Sequence, residues 1–227
     1  MHRRAFILAG AAALAPAVAG AQKTGDADEV KRLTDSATVF GEIMAAQDQS
    51  IPASILDKAE AIAVFPDTIK AGFVVGGMRG RGVLSAKNAG AWSPPTFMTL
   101  TGGSIGLQIG GQAADLVLVI MQRRGLETLL KNQFKLGADA SVAAGPVGRD
   151  AQAATDLQLR AEILSYSRAR GLFAGVTVNG STVRVDKDAN QRFYGRTLEA
   201  SDIVFGGKAP SRPPVPAWLQ VLGRYAK

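Results

Sequence analysis

The chain has 227 residues, 47% hydrophobic and 20% charged, a balance that supports one sizeable core. It contains no cysteine and a single histidine, His2, which excludes disulfide stapling and chemistry built on cysteine or histidine ligands. The net charge of +7 suits anionic partners, although solubility alone also accounts for it.

Residues 1–21 read as an export signal. Arg3 and Arg4 form its positive start, Ala5 to Leu14 its apolar stretch, and Ala19-Gly20-Ala21 a cleavage site before Gln22. The order Arg3-Arg4-Ala5-Phe6-Ile7-Leu8 also resembles a twin-arginine signal, so both the general and the twin-arginine route stay open. The apolar run is short and interrupted by Pro16, which argues against an anchor. The mature protein is therefore expected outside the cytoplasm, in the periplasm or cell envelope, and its cleavage removes His2.

Asp26 to Gln47 has the pattern of an amphipathic helix, with Val30, Leu33, Ala37, Phe40 and Met44 on one stripe. Asp26, Asp28 and Glu29 lie where the helix dipole favours anions. Ser50 is placed to cap a second helix, with Pro52 in its first turn and Ile55, Leu56 and Ala59 inward. Ala61 to Phe65 reads as a short strand ended by Pro66. Gly72 to Leu84 and Phe97 to Met121 follow as glycine-rich strands, and the unbroken apolar run Leu116 to Met121 predicts burial on both faces. So many strand glycines predict bulges and curvature. Arg124 to Lys131 reads as a short helix, whereas Phe134 to Val147 and Leu157 to Val178 return to strand character. Asn179-Gly180 marks a tight turn, and Val185 to Tyr194 a helix. The fold class is α+β: a curved, mainly antiparallel, barrel-like sheet with packed helices. Residues 22–205 form its domain, and 206–227 a proline-rich connector and short amphipathic tail.

Three motifs fail on their own chemistry. Gly102-Gly103-Ser104-Ile105-Gly106 matches a serine hydrolase elbow, but the mature chain has no histidine base and no strand-to-helix turn is expected there. Asp186-Lys187-Asp188-Ala189-Asn190 opens like a calcium loop, yet Gln191 and Thr197 stand where glycine and glutamate are needed; Asp186 as a helix cap fits better. Arg212-Pro213-Pro214-Val215-Pro216 resembles an SH3 ligand and reads better as a stiff linker. No enzyme, metal, cofactor or nucleic-acid partner is expected.

Two features keep functional weight. Lys70, Arg79, Arg81 and Lys87, with Arg168 and Arg170, are expected on exposed glycine-rich turns, where arginine pairs bidentately with phosphate. In the tail, Trp218 and Tyr225 accompany Arg224 and Lys227, a combination that suits a membrane interface, although such a tail can also dock on its own domain.

Seven ordered blocks carry a family resemblance: Ala59 to Pro66, Lys70 to Gly77, Trp92 to Pro95, Ser104 to Val117, Gly145 to Arg149, Tyr166 to Val176 and Asn190 to Gly195. From Asp26 to Gly195 the chain resembles the SYLF domain, a lipid-binding module of yeast and animal actin-patch proteins and of exported bacterial proteins. The resemblance implies binding to membrane lipid, with phosphoinositides and actin as eukaryotic partners. Actin does not carry over to an exported bacterial-type protein, and since most bacterial membranes lack phosphoinositides, anionic glycerophospholipids are their natural substitute. Eukaryotic members associate a basic starting helix with membrane contact. Here that helix sets Lys31 and Arg32 against Asp26, Asp28, Glu29, Asp35 and Glu42, a face expected to repel an anionic bilayer. Lys70, Arg79, Arg81, Lys87, Arg168, Arg170, Trp218 and Arg224 are the candidate lipid-binding residues. The competing expectation is a structural or stress-related envelope protein that binds a protein or a glycan.

Overall fold

A computed structural model of the chain describes residues 25–46, 50–72, 75–105, 112–131, 133–148, 160–169 and 172–226. Residues 1–21, read above as an export signal, and Arg170 lie outside them. Ten strands form one mixed sheet: β1 (Ala61–Gly72), β2 (Val75–Asn88), β3 (Ala91–Trp92), β4 (Thr96–Ile105), β5 (Gln112–Ile120), β6 (Phe134–Lys135), β7 (Val142–Ala144), β8 (Ile163–Ala169), β9 (Leu172–Gly175) and β10 (Thr182–Val185). Its order is β6-β10-β4-β2-β1-β5-β8-β7, with β3 on β2 and β9 on β8. Every pairing is antiparallel except β7 with β8. The helices are α1 (Ala27–Ala45), α2 (Ala53–Leu56), α3 (Arg123–Leu129), α4 (Lys187–Tyr194), α5 (Ala200–Val204) and α6 (Val215–Tyr225). The sheet curls into a half-barrel, the α+β architecture expected from the glycine-rich strands.

Period-2 alternation sorts the strand side chains into two layers. Ile62, Val64, Val83, Phe97, Val117 and Val119 face α1, α4 and α6. Ala61, Ala63, Phe65, Leu84, Leu100 and Leu118 line the opposite face, where Leu126 and Leu129 of α3 join them. Leu116 to Ile120 is buried throughout, as its continuous apolar run predicts, whereas Met121 lies past the strand and is half-buried.

Two local expectations are corrected. Ser50 does not cap α2, whose N-cap is Pro52; the Ser50 carbonyl instead accepts a hydrogen bond from Gly148 N. Pro66 does not end β1. It falls in a bulge between Phe65 and Thr68, because a residue without an N–H is tolerated where the ladder is already interrupted. Asp67 takes the left-handed backbone there (φ 46°), and its N–H donates to Asp115 Oδ1 at 3.1 Å. Helix α5 had no clear signal in the sequence.

Two tyrosines are locked in the helix-facing core. Tyr166 stacks on Phe173 with centroids 5.4 Å apart, and Tyr194 donates its hydroxyl to Pro95 O at 2.6 Å. Burial pushes both phenols well above the ordinary tyrosine range. A raised folded-state pKa contributes stability that is fully present below the unfolded value near pH 10 and is lost as the pH rises past it. The expected result is a melting temperature that falls between pH 9 and pH 11, with Tyr166 and Tyr194 ionising only as the protein unfolds. Tyrosinate absorbance recorded alongside thermal melts checks this.

Candidate anion-binding cleft

Helix α1 is held down by charge pairs along its length. Asp26 receives Arg212, Glu29 receives Arg192 at 2.7 Å, Arg32 donates to Asp186 Oδ2 at 3.0 Å, and Glu42 receives Arg168 at 2.6 Å. Asp186 is doubly used: its other oxygen accepts from Ala189 N at 3.0 Å and caps α4, the capping role that the sequence favours over a calcium loop. Arg32 is 6% exposed and lies 5.4 Å from the Phe97 ring centroid. Burial lowers its pKa, only partly offset by Asp186. The acidic residues that seemed to make α1 repel a bilayer are thus largely spent on internal partners.

The structure separates the eight candidate lipid residues. Arg168 bridges Asp115 of β5 and Glu42 of α1, and is 22% exposed. Burial disfavours its charge, but the hydrogen bonds to Glu42 and Asp115 prevail and raise its pKa. Lys87 donates to the Asp57 carbonyl at 3.1 Å and sits 5.5 Å from the centroid of the Trp92 ring. Trp218 is a correction to the interfacial expectation for the tail: it is 0% exposed, packs edge-on against Phe40 and donates Nε1–H to Ser85 Oγ at 2.8 Å. Its helix α6 docks on α1, with Trp92 Nε1–H donating to Ala226 O at 2.9 Å. Arg224, in the last turn of α6, is exposed. Lys70 is paired through its backbone with Met78 and Gln112, and Arg170 lies outside the described residues.

Arg79 and Arg81 remain, and they are not on a turn. They sit inside β2, opposite Thr101 and Thr99 of β4, in the stretch Arg79-Gly80-Arg81-Gly82. Alternation puts the arginines on the α1 face with Val83 and the glycines on the opposite face with Leu84. The glycines answer the β1 bulge directly. A Cβ on Gly80 would meet Thr68 Oγ1 at 2.5 Å, and one on Gly82 would meet Val64 O at 2.1 Å. Arg79 and Arg81 therefore project into a cleft of about 400 Å³ between α1 and the bulged ends of β1 and β2, lined also by Asp28, Lys31, Arg32, Asp35, Asp67 and Ile69. Lys31 pairs with Asp35, and Arg81 reaches Asp28 only at 4.0 Å with both side chains more than half exposed, a contact of little energetic worth. Arg79 makes no ion pair among the described residues. Residues 68–114 carry four cations and no carboxylate. Such a cleft offers the neighbouring Arg79 and Arg81 guanidinium groups to an anion, while Arg32 in its lining is already paired with Asp186.

The backbone of Ser104 is paired with Gly76 inside β4, so it lies on a strand and not at the strand-to-helix elbow that a serine hydrolase requires.

A family model described as "Ysc84: Las17-binding protein actin regulator" matches residues 101–225, more than half of the chain. The chain belongs to the Ysc84 (SYLF) family. The match runs through α6, consistent with the tail being packed into the core of the Ysc84 domain. Among curated relatives, human SH3 domain-containing YSC84-like protein 1 is 37% identical over 161 residues, 70% of this chain and 47% of that protein. LAS seventeen-binding protein 3 of Saccharomyces cerevisiae is 35% identical over 179 residues, 77% of this chain and 39% of that protein. Protein YSC84 of the same yeast is 32% identical over 179 residues. The chain spans less than half the length of these relatives. The family is one of regulators, named for actin and for a protein partner.

Proposed function

We propose that this Ysc84-family chain is an exported, non-catalytic binding protein that captures anionic phospholipid at a membrane of the cell envelope. The observation that carries the reading is the pair Arg79 and Arg81, held side by side on one face of β2 and exposed at the mouth of a cleft. Most arginines around α1 are consumed by internal carboxylates; these two are not, or only weakly. Phosphate is a natural occupant, since a guanidinium fork matches its oxygens bidentately. A basic residue near an anionic surface is worth about 1 kcal/mol, so Arg79 and Arg81 need help from neighbouring cations to hold the protein there.

The mature protein is expected to sediment with vesicles rich in phosphatidylglycerol or cardiolipin, to stay in solution with pure phosphatidylcholine, and to be released by high salt. Equal binding to neutral vesicles, or none to either, refutes the reading. A protein partner is the second reading, favoured by the relatives' names as Las17-binding proteins. It predicts no dependence on lipid charge.

A further inference from the structure

The strand register brings the last residues of β1, β4 and β8 and the first residues of β2, β5 and β9 to one end of the half-barrel, the hairpin end. Gly72 pairs with Gly76, where β1 ends and β2 begins. Val75 pairs with Ile105, and Lys70 with Gln112, so β4 ends and β5 begins at the same end. Asp115 pairs with Arg168, and Ala169 with Leu172, which places the end of β8 and the start of β9 there too. The large apolar side chains exposed among the described residues are Ile69, at 56%, and Leu172, at 70%, and both sit at this end. They lie on opposite faces of the sheet, because Ile69 pairs with Arg79 on the α1 face while Leu172 precedes the buried Phe173. What they share is the end of the barrel, not a groove in it.

The charge at this end is complementary to an anionic surface. No Asp or Glu occurs between Thr68 and Ala114, nor from Glu162 to Gly175 beyond Glu162 itself. Of the carboxylates nearby, Asp115 and Glu42 are engaged by Arg168 and Asp35 by Lys31, which leaves Asp28 and Asp67 in the cleft beside Arg79 and Arg81. Exposed aliphatic side chains beside unneutralised cations are what a bilayer interface rewards: apolar area enters the headgroup boundary while the cations remain among the phosphates.

We infer that the hairpin end is the membrane-facing end of the molecule, with Ile69 and Leu172 entering the interfacial layer of an anionic bilayer while Arg79 and Arg81 stay at headgroup level. The inference rests on the lipid reading above and adds the orientation and the apolar anchor to it. Binding then has two parts, a salt-sensitive one from the arginines and a salt-resistant one from the two aliphatic side chains.

The absence of cysteine makes the test direct, because one introduced thiol can be labelled uniquely. Leu172→Cys carries an environment-sensitive fluorophore at the hairpin end; Glu127→Cys carries it on α3, beyond the opposite end of β5. Both labelled proteins are sedimented with phosphatidylglycerol vesicles and titrated with iodide. The expected result is binding by both, with blue-shifted emission and protection from iodide only for the label at 172. The double variant Ile69→Ser with Leu172→Ser is expected to keep low-salt binding but to detach at a lower salt concentration than the parent. Binding with both labels equally quenched, or a double variant with unchanged salt release, overturns the orientation and leaves lipid capture standing. Failure of every form to sediment overturns both.

Discussion

Arg192→Met is expected to destabilise the fold by about 3 kcal/mol, a loss of roughly 6–12 °C in melting temperature. Glu29 is 1% exposed, and its Oε1 accepts from both Nε and Nη2 of Arg192, at 3.1 and 2.7 Å. Its Oε2 has no hydrogen-bond partner among the described residues. Removing the arginine strands a buried carboxylate with nothing to offset its desolvation. The reverse truncation, Glu29→Gln, costs far less, on the order of 1 kcal/mol, because Arg192 is 46% exposed and water takes over its solvation. The double variant is expected to be more stable than Arg192→Met alone. Chemical denaturation of the three variants checks the ordering. If the two single variants cost the same, Glu29–Arg192 is not the asymmetric buried pair described above.

Gly82→Ala is expected to cost about 3 kcal/mol or more, while Gly77→Ala on the same strand is expected to be near neutral. At Gly82 the added carbon would lie 2.1 Å from Val64 O and 2.9 Å from Phe65 Cα, both backbone atoms of the neighbouring strand, so no side-chain rotation relieves the clash. At Gly77 nothing lies within 4 Å. The difference connects stability to the cleft. The bulge that crosses Gly80 and Gly82 also sets the height of Asp67 and Ile69 beside Arg79, so Gly82→Ala displaces the cleft as well as the sheet. Thermal melts of the two variants suffice; equal losses at both positions contradict the glycine–bulge interlock.

Much of this architecture is legible in the residues, because local periodicity encodes it. The stripe Leu33 and Phe40 faces the core in α1, Leu116 to Ile120 is doubly buried in β5, and Asp186 caps α4. What periodicity misses depends on partners far away in the chain. Pro66 signals an interruption, but only the pairing of β1 with β5 turns that into a bulge within a continuing strand. Arg168 and Arg81 look alike in sequence; Glu42 and Asp115 distinguish them, from 126 and 53 positions away. Arg79-Gly80-Arg81-Gly82 did carry a readable signal, the alternation of a strand with one crowded face, which its glycine content disguised as a turn. The tail's Trp218 shows the same ambiguity, since an aromatic beside cations suits a membrane or a core equally until the docking surface on α1 and β2 is known.

The central claim is that Arg79 and Arg81 capture anionic lipid, and charge reversal at both tests it most directly. Neither side chain supports the fold beyond one weak contact with Asp28, so Arg79→Glu with Arg81→Glu is expected to melt close to the parent temperature. Losing two surface cations removes about 2 kcal/mol of attraction, and reversing them removes more, so affinity for phosphatidylglycerol vesicles should fall well over tenfold at low salt. Co-sedimentation of this variant beside the parent is the measurement. A folded variant that no longer sediments bears out the cleft as the capture site; one that binds as well as the parent contradicts it.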